Sequence, residues 1–186
     1  MGYRPYKTSC GLRQTVRRVI RRENKCIQAL SLPTVLSYNM RSIWSKLNNF
    51  ATDMLERSAD CSFLCEVWEK SESKKHQQKI EEMLEMRAIS YISTPRPGAR
   101  RGGGAGIAFN PARFSVSKLN INIPKPLEIV WALMRPIVPT GDIRKIILCS
   151  FYSPPNSKKN NLLVDHISVT YNSLKVQHSN AATFIS

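Results

Sequence analysis

From residue 33 onward the apolar positions switch between two periods. Thr34 to Asn39 is a short extended run rich in Val, Leu and Tyr. Ile43, Trp44, Leu47, Phe50, Ala51, Met54 and Leu55 then recur at helical spacing, which predicts a helix with one apolar face. Asp60 to Val67 is mostly apolar, as expected of a strand covered on both faces. Lys74 to Arg87 predicts a second helix with Ile80, Met83 and Leu84 inward. A strand near Ala88 to Ser93 leads into the breaker cluster Pro95 to Gly104. Four further strands are expected: Ala105 to Asn110, Phe114 to Ile121, Glu128 to Val138 and Arg144 to Tyr152. The tight turn Pro139-Thr140-Gly141-Asp142 separates the last two. Asn160 to Val176 predicts a third helix, and Ala182 to Ile185 opens a final apolar strand. The order β-α-β-α, a meander, then α and β implies an α/β protein with mixed sheets covered by helices. No natural layer is finished by that last strand, so a truncated domain is expected.

Residues 1–32 stand apart from this pattern. Val16, Val19, Ile20, Ile27 and Leu30 share helical spacing, with Arg17, Arg18, Arg21 and Arg22 on the other side. The stretch reads as a basic amino-terminal extension, and 33–186 as a partial domain. A transit peptide, a nuclear signal, a nucleic-acid arm and a non-specific tail all fit it. Met1-Gly2 does not make a myristoylation signal, because Tyr6 stands where Ser or Thr is wanted.

Charge narrows the partners. The chain has 28 Lys and Arg against 13 Asp and Glu, a formal net charge of +15. The basic excess is shared by both parts, so a polyanion is the expected partner. A solvated basic surface gives the same count. At 42% hydrophobic and 22% charged the composition is globular. No apolar run approaches a membrane span, since the best, Ile129 to Met134, stops at Arg135-Pro136. Cys10, Cys26, Cys61, Cys65 and Cys149 show no disulfide spacing, and no histidine lies near Cys61 and Cys65 to complete a zinc site. They read as reduced, mostly structural thiols of an intracellular protein, for which a nuclear location is the separate expectation.

Four short patterns carry candidate chemistry. In Ser37-Tyr38-Asn39-Met40-Arg41-Ser42, Asn39 closes a strand before a helix. In Leu64-Cys65-Glu66-Val67-Trp68, Glu66 closes the next strand. Open α/β sheets gather ligands beyond the carboxyl ends of their strands, so both groups stand where a site is built. A cap or a surface residue also explains each of them. Arg100-Arg101-Gly102-Gly103-Gly104-Ala105-Gly106 offers close backbone approach and two cations that can meet phosphate. It lacks the Lys-Ser/Thr of a P-loop and opens no helix, which disfavours nucleotide binding. In Phe151-Tyr152-Ser153-Pro154-Pro155-Asn156 a strand ends in a rigid double proline flanked by Tyr152 and Asn156.

Taken together and in order, these patterns resemble the endonuclease/exonuclease/phosphatase superfamily, the DNase-I-like fold. Among its branches they are most similar to the apurinic-type endonucleases of LINE-type retrotransposons, over about residues 34–186. The resemblance implies a four-layer α/β sandwich, incomplete here, and hydrolysis of a DNA phosphodiester with Mg²⁺ or Mn²⁺. It implies that Glu66 is the metal ligand and that Asn39 helps hold the metal or the attacked phosphate. It gives Tyr152 a hydrogen bond to the phosphate and Asn156 a contact with the DNA backbone. Arg100 and Arg101 become backbone-positioning contacts.

The same resemblance asks for a Gly-Asp-x-Asn and a Ser-Asp-His segment, and neither is present. Gly141-Asp142-Ile143-Arg144 has Arg144 where Asn is required, and reads as a hairpin turn. His76, His166 and His178 fall on predicted helices. His166, beside Leu163 and Ile167, is expected to be a satisfied structural histidine. The chain is therefore expected to be an inactive piece of a metal-dependent endonuclease. A non-catalytic basic nucleic-acid-binding protein is the alternative. A phosphoinositide or another phosphoester is a third possible substrate, which Tyr-x-Pro-Pro-Asn disfavours.

Overall fold

Period-2 apolar patterning on both faces of the central strands decides the architecture. In the computed structural model, residues 32–69, 74–96, 102–138, 143–154 and 157–186 are described; the basic extension, Arg100, Arg101, Asp142 and Asn156 lie outside them. Two four-stranded sheets form. The first contains β1 (Val35–Asn39), β2 (Cys61–Cys65), β3 (Ser90–Thr94) and β4 (Ala105–Phe109), in the order β1-β2-β4-β3. The second contains β5 (Phe114–Lys118), β6 (Glu128–Pro136), β7 (Ile146–Tyr152) and β8 (Ala182–Ile185), in sequence order. The pairs β1–β2 and β7–β8 are parallel and the rest antiparallel.

Val130, Ala132 and Met134 of β6 point between the sheets, where they meet Cys61, Phe63 and Ile107 of the first sheet. The alternate residues Ile129, Trp131 and Leu133 point outward to α3 (Asn160–Gln177), packing with Leu163 and Leu174. On the far side, α1 (Ile43–Glu56) and α2 (Lys74–Glu85) cover the first sheet through Leu47, Phe50, Met54, Ile80 and Leu84. The result is a helix–sheet–sheet–helix sandwich, the four layers that the resemblance to the DNase-I-like fold implies. A one-residue slip of β6 would exchange its two apolar faces, so the inter-sheet core and the α3 interface fix its register together.

The differences from the sequence reading have local causes. Trp44 and Leu55 are 42% and 59% exposed. They sit about 80° and about 100° around α1 from the centre of the buried Ile43–Leu47–Met54 stripe. Trp44 instead lies under the Lys79 ammonium, 5.3 Å from the ring centre. β2 stops at Cys65 because Glu66 turns into the left-handed region at φ 54°. Asp60 is not in the strand; it is buried, accepts the Thr34 backbone N–H at 2.8 Å and pairs with Arg113. α2 ends at Glu85, where Ala88 at φ 55° reverses the chain. β3, β5, β6 and β7 are each shorter than the apolar runs that announce them. His178 caps α3 rather than lying within it. His166 is not satisfied: its Nε2 is buried with no hydrogen-bond partner among the described residues, and burial pushes its imidazole below the ordinary value. Cys61, Cys65 and Cys149 are free thiols.

Candidate active site

The carboxyl ends of β1 and β2 lie side by side, because the two strands run parallel with Asn39 opposite Cys65. The two chain segments leaving them stay together. Met40 N–H donates to the Cys65 carbonyl (2.9 Å), Ser42 N–H to that of Glu66 (2.9 Å), and Ile43 N–H to that of Val67 (3.0 Å). Two of the first N–H groups of α1's entry thus find partners in the Glu66–Val67 loop, and no side-chain cap is needed. This geometry brings the Asn39 amide onto the Glu66 carboxylate, Nδ2 to Oε1, at 3.2 Å.

The strain in this loop is concentrated. Arg41, Ser42, Glu66 and Trp68 all have positive φ, as do Gly102, Gly103 and Gly104 opposite them. Non-glycine residues in that region cost about 1–3 kcal/mol each, and persist where surrounding contacts over-determine them. Here the contacts are explicit. Trp68 N–H donates to the Gly103 carbonyl (2.9 Å), and Val67 N–H reaches that of Gly104 (3.5 Å).

The glycines also join the two sheets. Gly104 N–H donates to Glu128 Oε2 of β6, and Arg96 Nε donates to Glu128 Oε1 at 2.7 Å. Glu128 is only 8% exposed, and a buried carboxylate is tolerable only when paired in this way. A Cβ on Gly103 would collide with Glu128 Oε2 and stand 2.5 Å from Arg96 Nε. Glycine is required there by space as well as by backbone angle. At the same end, Ser150 Oγ of β7 donates to the Leu64 carbonyl (3.3 Å), tying the second sheet to β2.

Tyr152 ends β7 directly across from Glu128. The Arg96 guanidinium lies over its ring, 5.4 Å from the centre. Partial burial, and then the Glu66 charge, raise the Tyr152 phenol above its ordinary value, with Arg96 acting in the opposite sense. The phenol is therefore a proton donor at neutral pH. Burial works against the Arg96 cation, but Glu128 more than offsets it and the guanidinium is held charged.

Asn39, Glu66 and Tyr152 thus sit at one end of the sandwich, with Arg96 and Glu128 among them. Sequence reasoning passed over both of the latter. Arg96 lies in a breaker cluster and Glu128 heads an apolar strand, so neither had a pattern to distinguish it. The placement of Arg100, Arg101 and Asn156 lies outside the described residues. Among the described residues no three His, Cys, Asp or Glu side chains group to hold a metal. Asn39 Oδ1 and Glu66 Oε2 are nevertheless hard oxygen donors side by side, which fits a cation that keeps most of its waters. Beyond Tyr152, a cleft of about 430 Å³ opens between β6, β7 and the start of α3. No helix among the described residues is long and apolar enough to cross a membrane.

The sequence matches no family model and no curated protein. Its fold matches solved structures. A humanised Danio rerio TDP2 is similar with a TM-score of 0.53 and 12% identity, over 81% of this chain and 59% of that one. The 3′ phosphatase NExo from Neisseria, bound to product DNA hairpin, is similar with a TM-score of 0.52 and 10% identity, over 81% and 56%. The endonuclease domain of TRAS1, a telomere-specific non-LTR retrotransposon, gives 0.49 and 17%, over 72% and 52%. The chain spans 41–59% of the length of such solved chains. The fold is DNase-I-like.

Proposed function

We propose, from the DNase-I-like fold as premise, that the chain carries the metal- and phosphate-binding part of a DNA phosphodiesterase, an endonuclease of retrotransposon type. The observation that carries this reading is the Asn39–Glu66 pair (3.2 Å) with Tyr152 beside it, on a strained loop braced by glycines. Glu66 and Asn39 would hold Mg²⁺ or Mn²⁺ through their free oxygens. The bound ion would supply Lewis acidity, neutralising charge on the attacked phosphate. The Asn39 amide fixes the Glu66 carboxylate in place. Tyr152, kept protonated, donates a hydrogen bond to a phosphate oxygen as charge develops there. Arg100, Arg101 and Asn156 serve as backbone contacts. The NExo structure, on the same fold, holds a DNA product, which supports nucleic acid as the substrate.

As given, the chain binds and does not turn over. Rate depends on interactions stronger in the transition state than in the ground state. The sequence has no Gly-Asp-x-Asn and no Ser-Asp-His to orient the attacking water and meet charge on the departing oxygen. A net charge of +15 favours a second reading, a non-catalytic basic protein of the nucleus that coats nucleic acid. Plasmid nicking with Mg²⁺ or Mn²⁺ separates the two. The proteins to compare are this chain and a longer chain made by fusing to it a Gly-Asp-x-Asn and a Ser-Asp-His segment from a DNase-I-like nuclease, each with and without Glu66→Ala. Nicking by the longer chain alone, abolished by Glu66→Ala, is the expected result. Nicking by the short chain that survives Glu66→Ala would overturn the site assignment. Silence from every chain would leave the binding-only reading.

A further inference from the structure

The cleft beside Tyr152 takes no part in the chemistry proposed above, yet its lining is specific. Its inner wall is apolar, with Leu127 and Leu163 only 5% and 6% exposed and Pro126 and Pro154 alongside. Arg96, Lys125 and Lys159 ring it. Among the described residues the one carboxylate in the lining, Glu128, is already held by Arg96 and the Gly104 N–H. Lys159 Nζ reaches the Pro126 carbonyl at 3.5 Å, so its ammonium stands across the opening between the two walls. α3 starts at the same place. It has no acid in its first turn and no side-chain cap, so the positive end of an 18-residue helix adds to the lysine field.

A volume of about 430 Å³ lies within the range of roughly 300–1,000 Å³ typical of small-ligand clefts. A free inorganic anion would use the cations and leave the proline and leucine wall unoccupied. A nucleotide unit uses both. Tyr152 lines this cleft and lies across from Glu128, which holds the Gly103–Gly104 segment bonded to Val67 and Trp68 beside Glu66, so a strand can run from one to the other.

We infer that this cleft seats the nucleotide adjacent to the attacked phosphodiester. Its phosphate lies between Lys125 and Lys159, and its sugar or base lies against Pro126, Leu127, Pro154 and Leu163. The inference rests on the proposed function for the identity of the strand, and on the cleft itself for the rest.

The test is binding of a dye-labelled single strand of six thymidylates, followed by anisotropy without metal across a range of salt. Lys125→Ala/Lys159→Ala is compared with Lys46→Ala/Lys75→Ala, an equal loss of charge from exposed sites on the opposite helical layer. Removing the cations on that one phosphate should lower the log K–log salt slope by about 0.7 and weaken binding roughly 5-fold near 0.1 M salt. The Lys46/Lys75 pair should change the slope little. Equal effects from both pairs, or none from Lys125/Lys159, would overturn the inference. Competition by inorganic phosphate as effective as by thymidine monophosphate would also overturn it, since the apolar wall would then contribute nothing. The assay needs no cleavage. A longer chain that fails to nick DNA refutes the catalytic reading alone, whereas indifference of the cleft lysines refutes only this one.

Discussion

Replacing Gly103 by alanine tests whether the site loop and the second sheet are held together through Glu128. Two costs are expected. Gly103 has φ 70°, and an alanine there carries a left-handed penalty of about 1–2 kcal/mol. Its Cβ would also collide with Glu128 Oε2, which Gly104 N–H and Arg96 hold in a buried position. Displacing that carboxylate forfeits a charge-assisted hydrogen bond, a loss of about 1.5–3 kcal/mol. The sum is about 2.5–5 kcal/mol, a large share of a domain's stability. Urea unfolding of the wild type, Gly103→Ala, Glu128→Ala and the double variant measures it. With Glu128 truncated that contact is gone and only the flexible end of Arg96 has to give way, so alanine at 103 should cost chiefly the left-handed part, about 1–2 kcal/mol. An equal cost of Gly103→Ala in both backgrounds would refute the coupling through Glu128. A loss below about 0.5 kcal/mol in the wild type would refute the steric argument altogether, since glycine-to-alanine in an accessible conformation is stabilising.

Stability should fall as the solution becomes alkaline. Burial, and then Asp60, push the Cys61 thiol from its ordinary 9.0 up to about 12, and burial raises Cys149 as well. A pKa raised in the folded state gives stability that is full below 9.0 and is lost as pH climbs through 12. The slope is about 1.4 kcal/mol per pH unit for each thiol. Urea midpoints at pH 9, 10 and 11 should decline less steeply for Cys61→Ala, and parallel declines would contradict the assignment. Duplex DNA binding by the chain should be weak, indifferent to sequence and steeply salt-dependent, because charge supplies it and no base-reading helix is evident. Isotherms that barely move between low and physiological salt would remove that account.

The linear pattern determined the order of elements and that helices cover mixed sheets. Ile129 to Met134 could announce a strand buried on both sides because consecutive side chains point to opposite faces, and both faces are apolar. The stripe from Ile43 to Met54 likewise announced a helix with one covered side. These are properties of neighbours in the chain, and period alone reveals them. Asn39, Glu66 and Tyr152 were legible for a related reason: strand ends followed by turns are local signals, and their motifs resembled a known fold. What gathered them was not local. Asn39 meets Glu66 only because β1 and β2 pair in parallel. Glu66 holds its left-handed backbone only because α1's entry and the Gly103–Gly104 segment bond to either side of it. Glu128 reads along the chain as the polar start of an apolar strand. It is a buried anchor because a guanidinium 32 residues earlier and a glycine N–H 24 residues earlier converge on it. Trp44 shows the converse, an apolar residue left outside because helical rotation carries it past the edge of the sheet. Period is written residue by residue, but the pairing of charges depends on which strands lie side by side, and only the closed sandwich decides that.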